Sequence, residues 1–217
     1  MKKVFGHTLG LVMTILLVLT GCVPESGQAQ EFKEGTDYVT LSPTVPVQAA
    51  DGKIEVTELF WYGCPHCLHL EPTIGKFLKN KPANVEFRRV PATLSPRWAF
   101  HARLFYVGQM LDPDGSKNVH TKIFDAIQKQ RRRIDNDDAL RRFFTDIGFN
   151  IDQVNNALKS MELTTMMSRA DEVGRLSKAD SVPVIIVNGK YRTSPSMVGN
   201  EEKLLQVIDY LVKRESK

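Results

Sequence analysis

Residues 53–62 read KIEVTELFWY, and their side chains fall alternately on two faces. Ile54, Val56 and Glu58 share one face; Glu55, Thr57 and Leu59 share the other. A period of two predicts a strand. It also places a carboxylate, Glu58, on an apolar face. After Cys64 the period changes. Cys67, Leu70, Ile74, Phe77 and Leu78 follow helical spacing and predict a helix reaching Asn80. Pro65 suits its first turn, where a missing N–H costs little. Pro72 lies inside the pattern and is expected to kink the helix. Residues 84–90, NVEFRRV, alternate again and predict a second strand. Strand, long helix and strand form a βαβ unit, with parallel strands and a right-handed crossover. A shorter alternation over residues 37–41 predicts a leading strand, and SPTVPVQAADG breaks regular structure after it.

From about residue 94 to residue 179 the pattern holds no strand. SPRWAFHARLFYVGQM has a cap-and-proline start with apolar residues at helical spacing. NVHTKIFDAIQKQ, DNDDALRRFFTDIG and NIDQVNNALKSM follow, each with Asn or Asp near its start. ELTTMMSRADEVGRLSKA is a longer helix leading back to sheet. His101 and His120 fall on these helices and are expected to be packed or surface residues, not ligands. The chain then returns to strand. VPVIIVNGKYRT predicts a hairpin turning at Asn188-Gly189. NEEKLLQVIDYLVKRE predicts a capped amphipathic helix burying Leu204, Val207, Ile208 and Leu211.

The first residues follow another logic. Lys2 and Lys3 precede an apolar run from Leu9 to Leu19, broken only by Thr14. The run is short for a membrane span and polar residues follow it, which is the pattern of a secretory signal peptide. From Pro24 to Gly35 the chain is polar and reads as a tether. The chain of 217 residues carries a formal charge of +4. That mild balance demands neither nucleic acid nor an anionic partner. Arg131-Arg132-Arg133 reads as a solvated helix end or loop.

The candidate chemistry lies at residues 60–72, FWYGCPHCLHLEP. A strand end, then C-x-x-C, then a helix is the setting of thiol redox chemistry. Cys64 stands at a helix N-terminus, where unpaired N–H groups and the positive end of the dipole favour a thiolate. His66 adds hydrogen-bond or cationic stabilisation. Cys67, one turn in, is the less exposed internal partner. A favoured thiolate means a disulfide poised to be reduced, and so to oxidise other proteins.

FWYGCPHC, the later SVPVIIVNGKY and the helical block between two half-domains together resemble a DsbA-type thiol:disulfide oxidoreductase. The resemblance covers the chain from about Gly35 onward. It implies an α/β, thioredoxin-like fold over residues 36–93 and 180–217, with an all-helical insertion at 94–179. It also implies that Pro183 is a cis-proline facing the redox-active disulfide Cys64–Cys67. Val182 and Pro183 would then bind an extended substrate segment by strand addition. Glu58 matches a buried acid that moves a proton near Cys67. The family's lysine partner for that acid is not evident; Phe87, Arg88 and Arg89 occupy the region. No cofactor is implied beyond the disulfide. The implied partners are reduced secreted proteins and a quinone-linked inner-membrane reoxidase, with the protein a monomer.

LTGC, residues 19–22, resembles the lipobox of bacterial lipoproteins. It implies a signal peptide over residues 1–21, acylation of Cys22 (palmitate included) and a tether over 22–35. Several acyl chains on one residue anchor stably where one is marginal. Val23 after the cysteine favours the outer membrane over the inner. Ordinary cleavage after GQA, residues 27–29, is the alternative and would leave a soluble periplasmic protein. Both place the chain outside the cytoplasm, where disulfides persist.

Competing readings use the same residues. Zinc wants four ligands, and no second C-x-x-C or His pair exists. Cys64, His66, Cys67 and His69 offer soft ligands for copper, but on a helix start they are not expected to converge, and His69 reads as a partly exposed helix residue. An inert staple closes longer loops and needs no Pro-His pair. A lipid-anchored isomerase or reductase of the same superfamily is the closer rival. The periplasmic isomerases' N-terminal dimerisation domain has no counterpart between Cys22 and Ile54. A thioredoxin-fold peptide-binding module is the non-enzyme alternative.

Overall fold

The structure is a computed structural model that describes Met1 and residues 31–216. The expected signal segment, Cys22 and the tether up to residue 30 lie outside the described residues. Among the described residues five strands form one sheet: β1 (Val39–Thr40), β2 (Ile54–Phe60), β3 (Val85–Pro91), β4 (Val184–Val187) and β5 (Tyr191–Thr193). Their order is β1-β5-β4-β2-β3. β2 runs parallel to β3 and antiparallel to β4, so it is the central strand. All seven of its residues are buried. The alternation in its sequence therefore sorts residues between two covered faces, not between core and solvent.

Each face has its own core. Ile54, Val56, Ile185 and Val187 pack with Leu70 and Ile74 of α1 (Pro65–Asn80), and with Leu204, Val207, Ile208 and Leu211 of the last helix. Leu59, Val90, Val184 and Ile186 pack on the opposite face with the helical block. That block contains α2 (Pro96–Leu111), α3 (Val119–Phe124), a π-helical turn (Asp125–Lys129), α4 (Asp137–Asp146), α5 (Ile151–Lys159) and α6 (Met161–Ser177). A short α7 (Pro195–Val198) and α8 (Glu201–Glu215) follow the hairpin. Caps set many of these starts. Ser95, Asn136, Asn150, Ser160, Ser194 and Asn200 each accept a hydrogen bond from a first-turn N–H of the helix they precede.

The β4–β5 turn has positive φ at both Asn188 (50°) and Gly189 (65°), which is the demand that Asn-Gly meets. Gly189 has a second reason to lack a side chain: a Cβ there would collide with the Val45 carbonyl.

Several boundaries differ from the sequence reading. Residues 31–35 pack against the domain, so they are not tether. Phe32 is 5% exposed, and its ring meets Tyr210 edge-on at 5.4 Å. Gly35 N donates to Tyr38 O at 2.7 Å, closing the turn. One apolar side chain in a polar run was enough to extend the domain. β2 ends at Phe60, two residues early, because Trp61 to Gly63 turn the chain toward α1. The helix expected over NVHTKIFDAIQKQ is α3 followed by the π-helical turn. α1 continues as one helix through Pro72. Among the described residues no helix is long and apolar enough to cross a membrane.

Candidate active site

β2 ends beneath the start of α1, and the turn between them carries the two cysteines. Cys64 is the N-cap of α1, in extended conformation (φ −89°, ψ 116°), with Pro65 opening the first turn. Its carbonyl accepts from Cys67 N (3.1 Å) and Leu68 N (3.3 Å). Cys64 is 9% exposed and Cys67 is fully buried; the two are not joined in a disulfide. The Cys64 thiol points at the Val182 carbonyl, 3.4 Å away. The Val182–Pro183 bond is cis. The resemblance had implied both the cis bond and its position.

The electrostatics separate the two sulfurs. A hydrogen bond from the Cys67 side chain brings the Cys64 pKa down to about 6. Partial burial opposes it; the N–H groups of Cys67 and His66 and the charge of His66 add to it. Cys67 moves the other way. Burial pushes its pKa far up, and the hydrogen bond and charge of Cys64 push further. The two shifts are opposite, so the site favours a thiolate at Cys64 and a thiol at Cys67.

Glu58, on the α1 face of β2, is fully buried. Directly across the parallel pairing stands Arg89. Its Nε donates to Glu58 Oε2 at 3.1 Å, and its Nη2 to Glu71 Oε2 at 3.0 Å. Glu71 Oε1 lies 3.1 Å from His120 Nε2, and His120 Nδ1 lies 2.9 Å from the Tyr62 hydroxyl. A chain of polar groups thus runs from Glu58 to the residue two before Cys64. Burial raises the Glu58 pKa to about 8, against the charge of Arg89 and with that of Glu71. Its Oε1 has no hydrogen-bond partner among the described residues, which suits a protonated carboxyl. The charge of Glu58 also raises the Cys67 pKa, so the two groups interact. Arg89 thus supplies the cation that the sequence left unassigned. Its neighbour Arg88 pairs with Glu55 at 3.1 Å instead.

Aromatic packing fixes the turn. The Trp61 indole stacks on Trp98 of α2 at 4.4 Å, with 10° between planes, and also faces His101. A side chain at Gly63 would collide with that indole. Burial lowers the His101 pKa to about 4, with the charge of Arg97 adding to it. Beside Cys64 a groove of about 600 Å³ is lined by His66, Val182, Pro183, Pro195, Ser196 and Glu201, among others.

Cys64, Cys67, Glu58, Val182 and Pro183 therefore converge, and His66 sits exposed on the first turn of α1. His69 does not join them: its side chain is 82% exposed and lies 3.5 Å from Glu201. Among the described residues no group of three or more Cys, His, Asp or Glu side chains is placed to hold a metal. Gly63, Trp98, His120 and Gln128 were not identified as site residues from sequence. Gly63 stood inside the quoted motif and carried a readable signal. His120 and Gln128 carried none, because each reaches the site across the insertion.

The chain is similar to known proteins over most of its length. Residues 99–207 match a family model described as a DSBA-like thioredoxin domain. A thiol:disulfide interchange protein DsbA from Azotobacter vinelandii is 39% identical over 199 residues, which cover 92% of each chain. One from Pseudomonas aeruginosa is 33% identical over 205 residues, 94% of this chain and 96% of that one. The crystal structure of P. aeruginosa DsbA superposes with a TM-score of 0.78 at 35% identity, covering 85% of this chain and 94% of that one. An oxidoreductase DsbA from Xylella fastidiosa gives a TM-score of 0.73 at 31% identity, covering 82% and 95%.

Proposed function

The chain belongs to the DsbA family of thioredoxin-fold thiol:disulfide oxidoreductases, and from that membership we propose that Cys64 and Cys67 are the disulfide it donates. A substrate thiolate attacks Cys64, and the Cys64–Cys67 bond breaks. Cys67 leaves with the electron pair and takes a proton from Glu58. A second substrate thiolate then attacks the substrate sulfur of the mixed disulfide. Cys64 departs as thiolate, the substrate gains a disulfide, and the enzyme holds the two electrons. The observation that carries this reading is the position of Cys64, at a helix start and 3.4 Å from the Val182 carbonyl, with Cys67 buried behind it.

The pKa values fit the division of labour. A thiolate with a pKa near 6 is a good leaving group at neutral pH. A low nucleophile pKa and an oxidising poise are already the hallmark of DsbA proteins, so both come to this chain with its membership of the family. Val182 presents its backbone to an extended substrate segment beside Pro183, as in strand addition. His66 contributes at the first turn. Reoxidation falls to a quinone-linked membrane partner. The redox chemistry needs no other cofactor.

In this reading residues 36–93 and 180–217 form the thioredoxin-like half, extended at its start to Glu31, and 94–179 the insertion. The protein works as a monomer in the periplasm. A signal peptide over residues 1–21 and acylated Cys22 tether it to the outer membrane. Replacing Cys67 with Ser tests the chemistry: a reduced, unfolded protein substrate should accumulate as a mixed disulfide on Cys64. Absence of that adduct, with the fold intact, would overturn the assignment. Cys22→Ala should move the protein from the membrane to the soluble fraction; unchanged fractionation would rule out the anchor.

A further inference from the structure

The π-helical turn after α3 has a consequence for the catalytic turn. Gln130 N donates five residues back to Asp125 O at 2.9 Å, and Arg132 N donates to Ala126 O at 2.8 Å. Such turns recur at functional sites because they re-aim side chains. Here the re-aimed side chain is Gln128. Its Nε2 lies 2.8 Å from the Tyr62 carbonyl and 2.9 Å from the Cys64 carbonyl. Among the described residues no other side chain donates to a carbonyl of residues 60–64. The amide orientation follows from the partners, since an oxygen at that position would face two other oxygens.

We propose that Gln128 is a positioning residue for the Cys64 thiolate, through which the helical insertion sets the redox poise of the thioredoxin-like half. The inference rests on Cys64 being the nucleophile. Its two bonds bracket Gly63, the turn residue without a side chain and therefore the natural place for the backbone to move. The Cys64 carbonyl already accepts from Cys67 N and Leu68 N. Gln128 holds it from the other side, so the extended cap geometry persists. That geometry directs the His66 and Cys67 N–H groups at the Cys64 sulfur. The oxidised protein has a covalent ring to hold the same geometry, whereas the thiolate has only hydrogen bonds. Loss of the clamp therefore weakens the thiolate more than the disulfide.

The test replaces Gln128 with Met, which keeps length and removes both donors. The Cys64 thiolate absorbance should titrate about half a unit to one unit higher, the size expected when about one hydrogen bond's net energy is lost from one state. The equilibrium with glutathione should shift about three- to tenfold toward the oxidised enzyme, making it a weaker oxidant. Gln128→Glu, an acceptor facing acceptors, should shift both further and gives a second variant should the first fold poorly. Gln130→Met, on the same turn but exposed, should leave both unchanged. A Gln128 variant with a lower melting temperature but unaltered titration and glutathione equilibrium would overturn the proposal. An ordinary thiol pKa in the parent protein would instead overturn the assignment of Cys64.

Discussion

Replacing Arg89 with Met should destabilise the protein in a pH-dependent way. Arg89 Nε lies 3.1 Å from a carboxylate with no exposed surface. At an effective dielectric of about 20, a pair at that separation is worth about 5 kcal/mol, or about 4 pKa units. Glu58 already has its pKa raised to about 8 with Arg89 in place. Without the arginine it should stay protonated beyond the usable pH range. The parent's folded state keeps a proton that the unfolded state releases above pH 4.5. Glu58's contribution to stability therefore falls from there to about pH 8, by at most about 1.4 kcal/mol per pH unit, and then levels. In the variant the fall continues. The gap between the two should be small below pH 7, about 1–2 kcal/mol from lost hydrogen bonds. Between about pH 8 and pH 9.5 it should widen by roughly a further 2 kcal/mol. Denaturant unfolding over that range measures it, in a background with both Cys64 and Cys67 replaced by Ala, since Cys64 titrates on its own account. Parallel stability curves for parent and variant would refute the claim that Glu58 is a buried acid held by Arg89.

Other expectations follow from single contacts. Gly63→Ala places a methyl against an indole fixed by Trp98, and should cost about 1–3 kcal/mol with a changed tryptophan emission spectrum. Glu58→Gln removes the proton that Cys67 needs on leaving. Stopped-flow fluorescence should show reduction of the enzyme by substrate thiols slowed about tenfold or more, with the Cys64 thiolate titration little moved. Phe32→Ala removes a buried ring from the core that Tyr210 and Tyr38 share, and should lower stability by about 3 kcal/mol in thermal unfolding.

The legible part of this chain was local. The change from period two to helical spacing at Cys64 marked the strand–helix junction, and Asn188-Gly189 marked the hairpin. Both depend on neighbours in sequence. Arg89 shows the limit. A parallel strand pair has no short turn to fix its register, so which of Arg88 and Arg89 faced Glu58 depended on the alignment of β2 with β3. Ile54 opposite Val85 decided it for Arg89. Phe32 was misread because one aromatic residue in a polar run gives no period; only the surface it covers, on Tyr210, explains its burial. His120 and Gln128 stand 56 and 64 residues beyond Cys64 in the sequence. Their contacts depend on how the insertion packs, and the π-helical turn that aims Gln128 has no pattern in the sequence.

The most direct test is the equilibrium of the purified protein with glutathione, read from tryptophan fluorescence or by trapping the thiols. A thiolate held at Cys64 should make the disulfide readily reducible, with a potential more oxidising than the roughly −180 mV of a disulfide isomerase. A potential near the roughly −270 mV typical of a reducing thioredoxin would contradict the account, because the Cys64 thiolate would then not be the favoured state.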